Sequence, residues 1–168
     1  MGGISDYFIK DFNDVISLSV IGLNIFALYK AINLDFDYIL GIIFVLFSQS
    51  FMKDLTTNST FLHFKRPDKA MNCSLFNAGG FVGNNSGFPS GHMGTTSFMT
   101  NLFYFKNCTH KNIGNYVLYN FWNIFMGYAR YNKNCHNFFQ IICGYILGLC
   151  VAYLFYNKKK IYYYFKNI

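Results

Sequence analysis

The sequence predicts an all-α integral membrane protein: a helical bundle of about five spans with one long active-side loop. Three observations predict it. Hydrophobic residues make up 53% of the 168 and charged residues only 12%, about half the charged share of an ordinary soluble domain. Apolar runs long enough for a bilayer core alternate with short polar segments. Aromatic residues reach 21%, mostly Phe and Tyr, as suits side chains anchored at membrane interfaces. The length fits one domain over 1–168.

The first run, 15–32, is VISLSVIGLNIFALYKAI. Asp6, Asp11 and Asp14 surround Lys10 where a cleavable signal would have a basic region, so this run is expected to stay as a span. A polar turn, Asn33 to Asp37, leads to the second run, 38–52. Residues 53–91 then carry six charged side chains, both prolines and a cluster of glycines. This stretch does not span; it reads as a functional loop with room for one short helix. The third run, 92–105, begins with small residues that allow close helix packing. The fourth covers 113–129. The fifth, 136–156, has Gly144 and Gly148 four apart, a small-xxx-small face.

The formal charge of +7 is spread over the segments between apolar runs. Anionic lipid headgroups or a phosphate substrate are therefore the expected partners, together with the bilayer, and nucleic acid is not. Lysine and arginine divide seven to seven. Lys30, Lys106, Lys111, Lys158, Lys159, Lys160 and Lys166 lie on the side of the C-terminus; Lys10, Lys53, Lys65, Arg66, Lys69, Arg130 and Lys133 lie on the loop side. Since Arg66 and Arg130 read as functional, the balance leans to a cytoplasmic tail and a non-cytoplasmic active face. The five cysteines form no metal pattern. Cys73 and Cys135 share the loop side, where unpaired thiols are the favoured reading and a disulfide stays open if that side is oxidising. Sequons begin at Asn58, Asn72 and Asn84, and also at Asn107 on the opposite side, as chance supplies in so Asn-rich a chain.

Three clusters fall on one predicted side: Lys65-Arg66-Pro67; Phe88-Pro89-Ser90-Gly91-His92; and Arg130, five residues, His136, with Gln140 a turn further on. Ser90 reads as the N-cap of the third span, with free amides at Gly91 and His92. A helix N-terminus beside two arginines is an anion site, and phosphate is the obvious occupant. Two histidines there allow one to attack and the other to protonate a leaving oxygen. Gln140 can accept a hydrogen bond from the His136 imidazole and leave the other ring nitrogen free.

In this order and spacing, the three clusters resemble the motifs of the type 2 phosphatidic acid phosphatase family, whose relatives include glucose-6-phosphatase and vanadium haloperoxidases. The resemblance runs from about 53 to 150. It implies a metal-free, cofactor-free membrane phosphatase in which His136 is the nucleophile and His92 the general acid. Arg66, Arg130, Ser90 and the Gly91 amide would hold the phosphoryl oxygens. A lipid phosphate such as phosphatidic acid or a polyprenyl diphosphate is the implied substrate.

The chain departs from the motifs at three places. Ser59 stands where the family has Lys, seven before Arg66, and His63 is the better-placed substitute if that stretch is helical. Ala129 replaces a Ser that would bond phosphate. Gln140 replaces the orienting Asp, although the glucose-6-phosphatase branch resembles this chain in having Gln there. The rival readings are a degenerate binder of lipid phosphate, a phosphoryl or headgroup transferase, and a small transporter. The last expects ionisable groups inside the spans, whereas here they sit in loops and at span ends.

Overall fold

The computed structural model describes residues 11–110 and 112–166, so Asp6, Lys10 and Lys111 lie outside the described residues. Among these residues the chain forms five α-helices: α1 (Phe12–Ile32), α2 (Asp37–Thr56), α3 (Gly91–Asn107), α4 (Ile113–Asn132) and α5 (Phe138–Lys166). A 3-10 turn at Leu62–Phe64 is the short helix of the long loop.

Each helix starts where the sequence offers a cap or the loop ends. Asp11 and Asp14 form a reciprocal capping box on α1, each side chain accepting from the other's backbone amide. Asn112 caps α4 by accepting from the Asn115 amide at 2.9 Å. Asn137 does the same for α5 through the amide of Gln140, at 3.0 Å. The second span runs on past Met52 to Thr56, which puts Lys53 on the helix rather than in the loop. The fifth begins at Phe138, which leaves His136 in the turn before it. It then continues as helix through the basic segment to Lys166.

Helices α1, α2 and α5 are long and apolar enough to cross a membrane by length and composition. The physical reason that α3 is less apolar is its place. It packs against all four other helices, and eleven of its seventeen residues are buried. A helix that faces protein rather than lipid has no need of a hydrophobic surface. Its closest neighbour is α5, and the glycines explain the approach. A Cβ on Gly148 would stand 2.3 Å from the carbonyl oxygen of Gly94, and one on Gly144 2.6 Å from that of Ser90. Backbone meets backbone there, as the Gly144/Gly148 spacing predicts.

Below the loop, two apolar clusters form the core. Ala27, Tyr38, Ile42, Val45, Phe98 and Leu102 fill the half nearer the C-terminus. Ile16, Val20, Met93, Met126, Ala129 and Ile141 fill the half beneath the loop. The loop has its own small centre, Ala70, Cys73 and Cys135 with Val82 against them. Here the structure corrects the sequence reading: Cys73 and Cys135 are joined by a disulfide across 62 residues of chain. Turns in the loop place Asn72, Asn77 and Asn84 at positive φ, a conformation that Asn tolerates better than most residues. Several loop asparagines therefore have a backbone reason to be there.

Candidate active site

The loop, the start of α3 and the turn between α4 and α5 converge on His136. Its Nδ1 lies 2.9 Å from the Oε1 of Gln140. The amide of Gln140 donates from Nε2 to the carbonyls of His63 and Lys65, at 2.9 and 2.8 Å. Those two acceptors fix which end of the amide faces the ring: only Oε1 is left for His136. Nδ1 must then carry the hydrogen, and Nε2 keeps a lone pair. That lone pair sits 3.4 Å from Nη1 of Arg66, which also donates to the carbonyl of Cys135 at 2.8 Å. Burial, with the charges of Arg66 and Arg130, holds the His136 imidazole well below its ordinary value of 6.5, outweighing the opposite pull of Gln140. The ring is neutral at neutral pH and available as a nucleophile.

Ser90 stands at the N-cap position of α3, but its hydroxyl caps nothing. Its Oγ is buried with no partner among the described residues, and so is Nε2 of His92, two residues on in the first turn of α3. Buried polar atoms without partners are costly, and two of them at one helix N-terminus mark a place built for a ligand. Arg130 is fully buried. It donates to Ser17 Oγ at 3.2 Å and to the carbonyl of Cys73 at 2.8 Å, while its Nε finds no partner among the described residues. Gly87 lets the loop close over this group, for a Cβ there would lie 2.6 Å from Arg66 Cγ and 2.7 Å from Gln140 Oε1. Beside Arg66 a cavity of about 350 Å³ opens, lined by Leu62, Lys65, Pro67, Asp68, Asn84 and Asn137.

His136, His92, Gln140, Arg66, Arg130, Ser90 and Gly91 are thus brought together. The ring of His63 is not: it is exposed and packs on Phe61 and Phe139, and the residue contributes its carbonyl instead. Ala129 lies in the apolar cluster with Met93, Met126 and Ile141. Lys53 joins the group without having been singled out. A Cβ on Gly91 would stand 3.8 Å from its Nζ, and its charge bears on His92 and His136. It lies thirteen residues before Arg66, not seven, so motif spacing hides it; its place in the last turn of the second helix is the signal. Asn137 is the other residue missed, a cap whose side chain also donates to the carbonyl of His63 at 3.0 Å.

The family model of the PAP2 superfamily matches residues 36–162. The chain belongs to the PAP2 superfamily. The match takes in every residue of the cluster around His136 and begins after the end of α1. No curated protein and no solved structure matches this PAP2 chain. Membership brings phosphatase chemistry on phosphate esters and a membrane setting with it.

Proposed function

We propose that the protein hydrolyses a phosphate monoester or diphosphate of a lipid, of the phosphatidic acid or polyprenyl diphosphate type, through a phosphohistidine at His136 and without a metal. The observation that carries this reading is the fixed tautomer of His136, whose unprotonated Nε2 faces Arg66 at 3.4 Å. In the first step that lone pair attacks phosphorus in line, the ester P–O bond breaks, and His92, which takes up a proton as the phosphate anion enters among its cationic neighbours, hands that proton to the leaving oxygen. In the second, water attacks the phosphohistidine, its proton goes to His92, and the N–P bond breaks. Arg66, Arg130, Lys53, Ser90 Oγ and the free amides of α3 offset the charge on the phosphoryl oxygens. Gln140 does not touch the reacting atoms; it orients His136.

The non-cytoplasmic side is the proposed location of the active face. The Cys73–Cys135 bond in the loop supports it, because disulfides persist in oxidising compartments. The degenerate-binder reading is favoured by Ser59, Ala129 and Gln140 as sequence positions. It loses ground to Lys53 and to the tautomer that Gln140 sets.

The test is phosphate release from a panel of lipid phosphates, diphosphates and sugar phosphates in detergent, with chelator present. Wild type, His136→Ala and His92→Ala are compared. Chelator-resistant release that vanadate blocks and both substitutions abolish is the expected result. No release by folded wild type on any substrate overturns hydrolysis in favour of a lipid-phosphate binder, and transfer to added alcohols in place of water would make it a transferase.

A further inference from the structure

A second cavity, of about 690 Å³, lies between α4 and α5 with Met93 of α3 at its floor. It arises because α4 and α5 each pack on α3 far more than on one another. Gly127 widens it, since a Cβ there would sit 3.2 Å from Ile141 Cγ2 and 3.9 Å from Met93 Sδ. Its walls are apolar, and Ile124, Tyr128, Tyr131 and Phe138 stand exposed along them. At one end the groove's lining residues are chain neighbours of the phosphate cluster. Met93 follows His92, Tyr131 follows Arg130, and Ile141 follows Gln140. At the other end it closes. Tyr116 and Tyr145 are the lining residues farthest along their helices from the site, and their hydroxyls meet across the groove at 2.5 Å. Tyr145 also donates to Asn120 Oδ1 at 3.3 Å. Asn123, midway along the α4 wall, is buried with an Oδ1 that has no partner among the described residues.

We infer that this groove is the binding site for the hydrocarbon chain of the substrate, and that the Tyr116–Tyr145 bridge sets how long a chain fits. The inference rests on the lipid-phosphatase reading and deepens it. A cationic cluster, and an apolar channel lined by its immediate chain neighbours, match an amphiphile with an anionic head. The channel follows α4 from Tyr131 to Tyr116, about 20 Å at 1.5 Å per residue, and its volume is in the range of small-ligand sites. Past that depth a methylene chain would have to displace hydrogen-bonded hydroxyls and amides, which is costly away from water. The groove therefore measures length rather than only accepting grease.

Two readouts test this. The first is photo-crosslinking with a long-chain phosphatidic acid that carries a diazirine near the chain end, beside the matching diacylglycerol, on the full chain in nanodiscs. Adducts on Ile124, Tyr128 or Ile142 that need the phosphate and fall with vanadate are expected. Adducts spread equally over exposed Ile25, Leu40 and Phe47, or the same with diacylglycerol, mean bulk lipid only and overturn the proposal. The second is the ratio of kcat/KM for long-chain over short-chain phosphatidic acid. Gly127→Leu should lower that ratio about tenfold, and Tyr116→Ala should move the best chain length upward. Unchanged ratios in both variants overturn the proposal. Loss of the phosphatase reading is distinguishable: no release from any substrate, with groove adducts intact, leaves a chain-selective lipid-phosphate binder.

Discussion

Gln140 holds three neighbours at once, and a carboxylate in its place could hold only one of them. Its amide donates twice to backbone carbonyls and accepts once from His136. Gln140→Glu keeps an acceptor for the ring but turns a carboxylate towards two carbonyl oxygens, so the loop at His63 and Lys65 loses its tie. Leaving such buried groups unpaired costs roughly 1–3 kcal/mol, readable as a lowered Tm in detergent. Gln140→Leu frees the imidazole tautomer as well. Its expected effect is a fall in kcat of up to about 10⁴-fold with KM little moved, by analogy with the misset imidazole of a serine protease triad. A loss confined to KM would assign Gln140 to substrate binding. The pH profile carries a second residue-scale prediction. His136 is held well below 6.5 by burial and by Arg66 and Arg130, so the neutral ring persists as pH falls through 6.5 and the acid limb of kcat/KM should lie below that value. Removing a positive neighbour with Arg66→Gln should raise the His136 value and shift the limb to higher pH. The same depression means that the unfolded chain takes up this proton first, so stability contributed by the neutral ring is lost as pH drops below about 6.5. At this scale the sequence showed which types of residue would meet, because motif order and spacing survive in the letters. It did not show where rings point: His63 turned its carbonyl inward and its imidazole outward, onto Phe139.

The helices were legible as apolar runs, and their ends were read to within a few residues, except that α5 runs ten residues past 156 to Lys166. The differences have causes. Lys53 was assigned to the loop because charge ends a hydropathic run, yet a helix carries on past its last apolar residue when the next turn is still supported. His136 was assigned to the last span because apolar residues follow it, whereas Asn137 caps the helix one residue later. Gly144 and Gly148 marked a packing face without naming its partner; the structure supplies α3, and on this packing the site rests, since Ser90 donates its amide to the carbonyl of Gln140 at 3.0 Å. Gly148→Ala should push α3 off α5 and destabilise by about 1–3 kcal/mol, the usual cost of overpacking. Gly22→Ala is the matched control: nothing lies within 4 Å of its Cβ position, so that change should be neutral or raise stability by about 0.5–1 kcal/mol. Thermal unfolding in one detergent reads both, and equal losses would remove the packing argument.

Across the whole molecule, the loop is fastened to the bundle at Cys73–Cys135, and both carbonyls of that pair serve the arginines of the site. The sequence left this bond open because spacing says nothing of distance. Reduction, or Cys73→Ser, should lower stability by about 2–5 kcal/mol and cut activity, while a reductant should leave Cys73→Ser itself unchanged. Wild type that keeps full activity with both thiols alkylated would refute the coupling. One further feature of the cluster reaches beyond binding and chemistry. Among the described residues, the charges that bear on His136 are positive: Arg66, Arg130 and Lys53. Where the orienting residue is a carboxylate, part of that charge is answered from within; Gln140 answers none of it. Backbone carbonyls and Ser17 take only part of the charge of the two arginines, and in the proposed reaction the inorganic phosphate released is the ion best able to relieve the rest. If the proposed hydrolysis holds, product departure rather than bond breaking should be the slow event of the cycle, and orthophosphate in the buffer should both stabilise the protein and inhibit it.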